Sequence, residues 1–280
     1  MGDQPTAQFS SERLGEWGER LRFRVTPEHI AAYAAVVGDT TSSAAAGRAA
    51  GPVFPVVGVW DALNQATDRI VPASIADLAV HYTHDLRLHA PLPTATEVFS
   101  RAAATGVRAR RAGAEVSYRL ETRDAAGSLL VEQWATEIYR GVWPESEAGE
   151  EAPRIEQAPI ESDPAGEATI DVPLDITDRY AQVSGDDFAI HLDDAFARSV
   201  GLPGRIVQGM CTLALAATAL LDEQGRDVDA VRRLAARFSR PLRPGRTLAV
   251  TNWADADGTI HFEARADGDT VLRDGVLRLE

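Results

Sequence analysis

The chain has 280 residues, 45% hydrophobic and 25% charged, with a formal net charge of −14. That is an ordinary globular composition, long enough for one large domain or two of about 140 residues. No apolar run approaches the roughly 20 residues of a membrane-spanning helix, and the acidic balance argues against wrapping a nucleic-acid backbone. All 28 basic residues are arginines, which removes Schiff-base lysines and the phosphate-loop lysine together. The single cysteine, Cys211, excludes an intramolecular disulfide and a multi-cysteine metal site. The first residues lack a secretory pattern, so a cytoplasmic location is expected.

In chain order, residues 23–39 (FRVTPEHIAAYAAVVGD) read as a short helical stretch ending in a Gly-Asp turn. A helix is expected over residues 56–70, and residues 116–140 alternate around Asp124-Ala125-Ala126-Gly127 as a hairpin does. Residues 141–167, rich in Pro, Glu, Gly and Ala, have no sustained apolar period and read as a linker. The pattern then begins again. Residues 170–186 (IDVPLDITDRYAQVSGD) align without gaps on 23–39, with Val25/Val172, Tyr33/Tyr180, Ala34/Ala181, Val36/Val183, Gly38/Gly185 and Asp39/Asp186 identical. The helix that follows, residues 208–225, is small or apolar on nearly every face and is expected to be buried all round. A second hairpin occupies residues 260–280. The expected domains are therefore an N-terminal unit 1–140, an acidic linker 141–167 and a C-terminal unit 168–280. One buried helix followed by alternating strands in each unit predicts an α+β fold, a sheet wrapped around a helix.

The densest motif is YAQVSGDDFAIHLDDAFARSVGLPGRIVQGM, residues 180–210. It resembles the signature of MaoC-like (R)-specific enoyl-thioester hydratases (hydratase 2), keeping Tyr180, Ala181, Ser184, Gly185, Asp186, Ile190, His191, Asp193, Ala197, Gly201, Ile206, Gly209 and Met210. The segment ARFSRPLRPGRTL is also similar to that family. The resemblance implies a tandem double hot-dog fold. It further implies a lyase interconverting (3R)-3-hydroxyacyl and trans-2-enoyl thioesters of coenzyme A or acyl carrier protein, with no cofactor or metal. Asp186 and His191 are implied as the acid–base pair.

Hydration of an enoyl thioester needs a base for water, an acid for the α-carbon and donors for the enolate oxygen. Histidine titrates near neutrality and can both accept and return a proton. Free backbone N–H groups at the start of the 208–225 helix, at Gln208, Gly209 and Met210, are expected to meet the oxygen, with Ser184 and Phe188 lining the substrate in the same loop. Arg232, Arg233, Arg237, Arg240, Arg243 and Arg246 crowd fifteen residues. They are either a solvated strand edge or, through Arg237, Arg240 and Arg243, a landing site for carrier phosphates.

Two departures stand out: Phe188-Ala189 replaces the family's Asn-Pro, and Gln208 replaces the histidine of His-Gly-Met. A bulky ring at Phe188 is expected to narrow the pocket and to raise the pKa of Asp186. The first copy carries Ala44 where the second has His191, so it reads as a degenerate unit. His81 and His89 would share a strand face with His84 pointing away, which argues against a metal cluster. Cys211 reads as a small core residue. Two alternatives remain open: an acyl-thioester hydrolase of the same fold, and a non-catalytic acyl-thioester-binding subunit. Pairing of whole chains into a homodimer is also left open.

Overall fold

A computed structural model describes residues 5–156 and 163–280. Its ten principal strands are β1 (Leu21–Val25), β2 (Ala79–Leu88), β3 (Thr96–Arg110), β4 (Gly113–Arg123), β5 (Leu129–Arg140), β6 (Gly166–Asp171), β7 (Val231–Phe238), β8 (Thr247–Ala254), β9 (Ile260–Ala266) and β10 (Asp269–Leu279). The helices are α1 (Pro27–Val37), α2 (Ser42–Ala45), α3 (Trp60–Ile70), α4 (Ile176–Ser184), α5 (Ala189–Leu192), α6 (Asp194–Ser199) and α7 (Gly209–Gln224).

The strands form one sheet in the order β1-β3-β4-β5-β2-β7-β10-β9-β8-β6. Each half contributes five strands in mirrored order, and the halves join where β2 pairs antiparallel with β7, Leu86 opposite Leu234 and Asp85 opposite Ala235. Across this seam Arg233 grips the buried Asp85 with two hydrogen bonds, of 2.9 and 3.0 Å. Such a fork-to-carboxylate pair fixes the register of the join.

The repeat is visible in the coordinates. Helices α1 and α4 pack on one another, and each stops at a left-handed glycine, Gly38 (φ 71°) and Gly185 (φ 77°). Only glycine enters that region without a Cβ penalty. The matched tyrosines meet: the hydroxyls of Tyr33 and Tyr180 lie 3.1 Å apart, fully buried. The gapless match also extends beyond the aligned segment, because α5 falls on α2 residue for residue at the same offset.

Helix α7 is the axle of the second half. Eleven of its residues, from Met210 to Leu221, are buried, among them four leucines whose burial contributes roughly 2 kcal/mol apiece. It packs against β6, β7 and β8. Its core cluster takes in Ile30, Tyr33 and Phe54 of the first half as well as Leu234 and Leu277 of the second. The halves therefore share one core. The corresponding helix of the first half differs from expectation. The chain is 3-10 helical over Phe54–Gly58, and α3 starts only at Trp60 and buries one face, through Ala62, Leu63, Ala66 and Ile70. Asp61, Asn64, Gln65 and Asp68 give it a polar side that α7 lacks.

The stretch read as a linker is largely fastened. Ala148–Gly149 pairs with Gly106 and Val107 of β3, Arg108 holds Glu151 and the carbonyls of Ala148 and Gly149, and β6 begins at Gly166. Backbone hydrogen bonding, invisible to a composition argument, decides this.

Candidate active site

Asp186 lies two residues beyond the end of α4, and the local chain leaves it little freedom. Ser184 donates its hydroxyl to the Tyr180 carbonyl (2.7 Å) and accepts the Asp186 N–H (3.1 Å). The Asp186 carbonyl accepts from the Gln208 amide at 3.1 Å, and the same Nε2 donates to the Thr177 carbonyl at 3.0 Å. Gln208 thus ties the loop to both α4 and the start of α7. His191 stands on α5. Its Nδ1 lies 2.8 Å from the Ile206 carbonyl, and a carbonyl can only accept, so Nδ1 carries the proton and Nε2 presents a lone pair. That Nε2 is 3.9 Å from Asp186 Oδ1, with side-chain exposures of 9% and 15%. The gap is too long for a direct hydrogen bond and suits one small oxygen species touching both groups.

Burial pushes the Asp186 carboxyl above its ordinary range, against the opposing pull of His191 and of the Phe188 N–H. Burial likewise raises the Cys211 thiol, which leaves it a core residue rather than a nucleophile. At the start of α7 the first helical hydrogen bond runs from Thr212 N to the Gln208 carbonyl. The N–H groups of Gly209, Met210 and Cys211 consequently have no acceptor within the helix. Gly209 is the half-open one; Gln208 and Met210 are buried. A Cβ at Gly209 would come within 3.2 Å of the Phe238 ring, so glycine keeps this slot passable.

Residues 156–270 match the model of the MaoC like domain. The chain is 31% identical over 210 residues to 3-hydroxyacyl-thioester dehydratase Y of Mycobacterium tuberculosis, covering 71% of each chain. It belongs to the MaoC-like family. Among solved structures it is similar to a MaoC-like dehydratase from Phytophthora capsici, with a TM-score of 0.79, 19% identity and coverage of 93% of this chain and 95% of that one. It is also similar to a conserved Mycobacterium tuberculosis protein with a double hot-dog fold, with a TM-score of 0.63, 16% identity and coverage of 95% and 96%. The MaoC-like double hot-dog is the fold of this chain.

Within the family frame, several expected site residues are placed differently. Ser184 is buried, with its hydroxyl engaged by backbone on both sides, so it shapes the turn instead of facing substrate. Met210 buries its side chain in the core, while its backbone N–H, the group expected to act, is among those without a helical acceptor. Phe188 stands at the N-cap of α5 and is 38% exposed. The raised Asp186 comes from burial of the carboxylate itself.

Of the six crowded arginines, four are engaged: Arg232 with Glu280, Arg233 with Asp85, Arg237 with Asp274 (2.7 Å) and Arg246 with Asp267 (3.2 Å). Arg237 is therefore tied to its own sheet. Arg240 and Arg243 are exposed. The loop between them is pinned behind the site, since the Leu242 carbonyl accepts Val207 N at 2.8 Å.

His81 and His84 are not on opposite faces. A bulge between His81 and Thr83 in the β2–β5 pairing breaks the alternation, and their rings meet at 3.0 Å, His84 Nδ1 to His81 Nε2. Gln133 takes the other nitrogen of His84 at 2.9 Å. Among the described residues no group of three or more His, Cys, Asp or Glu side chains is placed to hold a metal.

Proposed function

We propose that this chain catalyses the reversible addition of water to trans-2-enoyl thioesters, giving (3R)-3-hydroxyacyl thioesters, with Asp186 and His191 as the acid–base pair. The observation that carries the reading is the pair itself. A carboxyl of raised pKa and an imidazole lone pair face each other across 3.9 Å, beside a half-open glycine at the N-terminus of a buried helix. The relative named a 3-hydroxyacyl-thioester dehydratase supports the same activity.

In the hydration direction the water sits between the two groups. His191 Nε2 takes one proton as the oxygen bonds to C3, and the electron pair of the C2–C3 double bond moves to the thioester oxygen. Asp186, protonated, delivers its proton to C2. The N–H groups at Gly209 and Met210 receive the transient enolate oxygen, aided by the positive end of the α7 dipole. Dehydration runs the steps backwards from the Asp186 carboxylate and the His191 imidazolium. Each direction needs one proton shared by the pair.

We assign the phosphates of the carrier, coenzyme A or the phosphopantetheine of acyl carrier protein, to the exposed Arg240 and Arg243. The experiment is loss of absorbance at the enoyl-thioester band with crotonyl-CoA. His191→Ala and Asp186→Asn are each expected to lose about 10²–10⁴ in kcat, and full activity in either variant would overturn the mechanism.

A further inference from the structure

Resting on that reading, we propose that the first half of the chain supplies a polar wall to the acyl recess, making the enzyme selective for acyl groups that carry a hydroxyl or oxo substituent beyond C3. The wall is traced outward from the helix start. Gly209 lies against the Phe238 ring, and Phe238 packs on His81 with ring centroids 4.7 Å apart. His81 stands directly opposite Glu137 in the β2–β5 register. The path we assign to an acyl chain whose thioester oxygen is held at Gly209 runs along these contacts, over Phe238 towards His81 and Glu137.

These groups differ from a plain hydrocarbon slot. On β5, Gln133, Glu137 and Tyr139 project to one face, as residues two and four apart do. Tyr139 donates to Glu137 Oε2 at 2.9 Å, and the hydroxyl of Tyr118 lies 3.3 Å from that of Tyr139. Thr67 of α3 donates to Tyr118 at 3.1 Å. Beside them runs the His81–His84–Gln133 chain.

Two observations separate a ligand-facing wall from a closed structural network. A closed network satisfies its own donors, yet Gln133 Nε2 is fully buried with no acceptor. In addition Glu137, His81, Phe238 and Gly209 are half-buried rather than sealed. Burial pushes the Glu137 carboxyl up, with the Asp186 charge adding to the shift. Glu137 thus feels the acid–base pair of the other half, and its carboxyl can accept from a substrate hydroxyl. A long unsubstituted chain would strip these groups of hydrogen-bonding partners and replace them with none.

The test compares kcat/KM for trans-2-octenoyl-CoA with the same thioester hydroxylated at C5 or at C7. Wild type is expected to favour at least one hydroxylated substrate by about tenfold, the effect of one well-made hydrogen bond. Glu137→Leu or His81→Phe should bring that ratio close to one. A ratio of two substrates on the same preparation does not depend on the folded fraction, and Glu137→Gln, close in volume, provides a second variant expected to fall between. The proposal is overturned if wild type prefers the unsubstituted chain, or if neither Glu137→Leu nor His81→Phe moves the ratio. Crotonyl-CoA turnover by wild type and its loss in His191→Ala separate these outcomes from a failure of the hydratase reading, which would show as no turnover of any enoyl thioester and would remove both.

Discussion

Replacing Gln208 by leucine tests whether the amide holds the catalytic loop in place. Gln208 is fully buried, and its Nε2 makes two hydrogen bonds, to Thr177 O and Asp186 O, at 3.0 and 3.1 Å. Each contributes about 1 kcal/mol net. The leucine also removes Oε1, a buried acceptor with no partner, and adds apolar burial, which offsets part of the loss. The expected destabilisation is about 1–2 kcal/mol, a fall of a few degrees in Tm for a chain of this size. The functional effect is expected to be larger. With its carbonyl released, Asp186 keeps the Ser184 contact at its N–H and the Phe188 N–H at its carboxyl, and misplacement of a catalytic group by about 1 Å costs on the order of 10²-fold. Thermal melts and steady-state loss of enoyl-thioester absorbance should therefore show a modest drop in Tm and a drop in kcat of tenfold or more, with KM little changed. Gln208→His can restore one of the two donors and should recover part of kcat. A leucine variant with lowered Tm and unaltered kcat would refute the role assigned to this amide and leave it a packing residue.

Asp186→Asn should raise Tm at pH 7–8 while lowering kcat by about 10²–10⁴, with the gain in Tm vanishing at acid pH. The folded carboxyl has a raised pKa, so its ionisation withdraws stability as pH rises through that value, and below the unfolded pKa the two proteins should melt alike; an asparagine variant no more stable at pH 8 would contradict the shift. The low-pH limb of kcat for dehydration, which needs the carboxylate, should lie above the ordinary Asp range for the same reason. Phe188→Asn is expected to keep kcat within about threefold, since the residue is more than a third exposed. Steady-state kinetics showing a large loss would place the ring in the chemistry after all. Charge reversal at Arg240 and Arg243 together should raise KM for CoA substrates roughly tenfold and flatten its dependence on salt, leaving kcat intact. An unchanged KM would move the carrier site elsewhere.

Most of the architecture was legible in the sequence because the repeat constrains it twice. The Gly-Asp turn, the apolar run of α7 and the two hairpins each carry a local signature, and the structure places helix ends at Gly38, Gly185 and Gly225. The Asp186–His191 pair came from the resemblance of residues 180–210 to a known signature, and the structure sets His191 on a one-turn helix that starts three residues after Asp186. What escaped was set by contacts between distant segments. The His81–His84 pair depends on a bulge, which strict alternation conceals. The engagement of Arg237 depends on Asp274, three strands on in sequence. Phe188 was expected to cover its neighbours, but it stands at the N-cap of α5 and is 38% exposed. Glu137 gave no sequence signal, being one carboxylate in an alternating strand; only the pairing of β5 with β2 brings it opposite His81.

The degeneracy of the first copy is best understood from the same contacts. Its turn survives: Asp39 accepts the Thr41 N–H and hydroxyl at 3.0 and 2.7 Å, just as Asp186 is met by the Phe188 N–H at the matching position. The one-turn helix survives too, as α2. The imidazole does not, and Ala44 in its place is fully buried in the shared core. The first half could lose its chemistry because the second retains it, but it could not lose its fold. Tyr33 meets Tyr180, Asp85 holds Arg233, and the strand bearing Glu137 borders β2, which makes the join to the second half. A duplicated unit freed from catalysis yet bound to its partner's core is where selection can reshape the acyl recess without touching Asp186 or His191. Differences in acyl specificity among chains built this way should accordingly concentrate on β2, β5 and α3 of the first half.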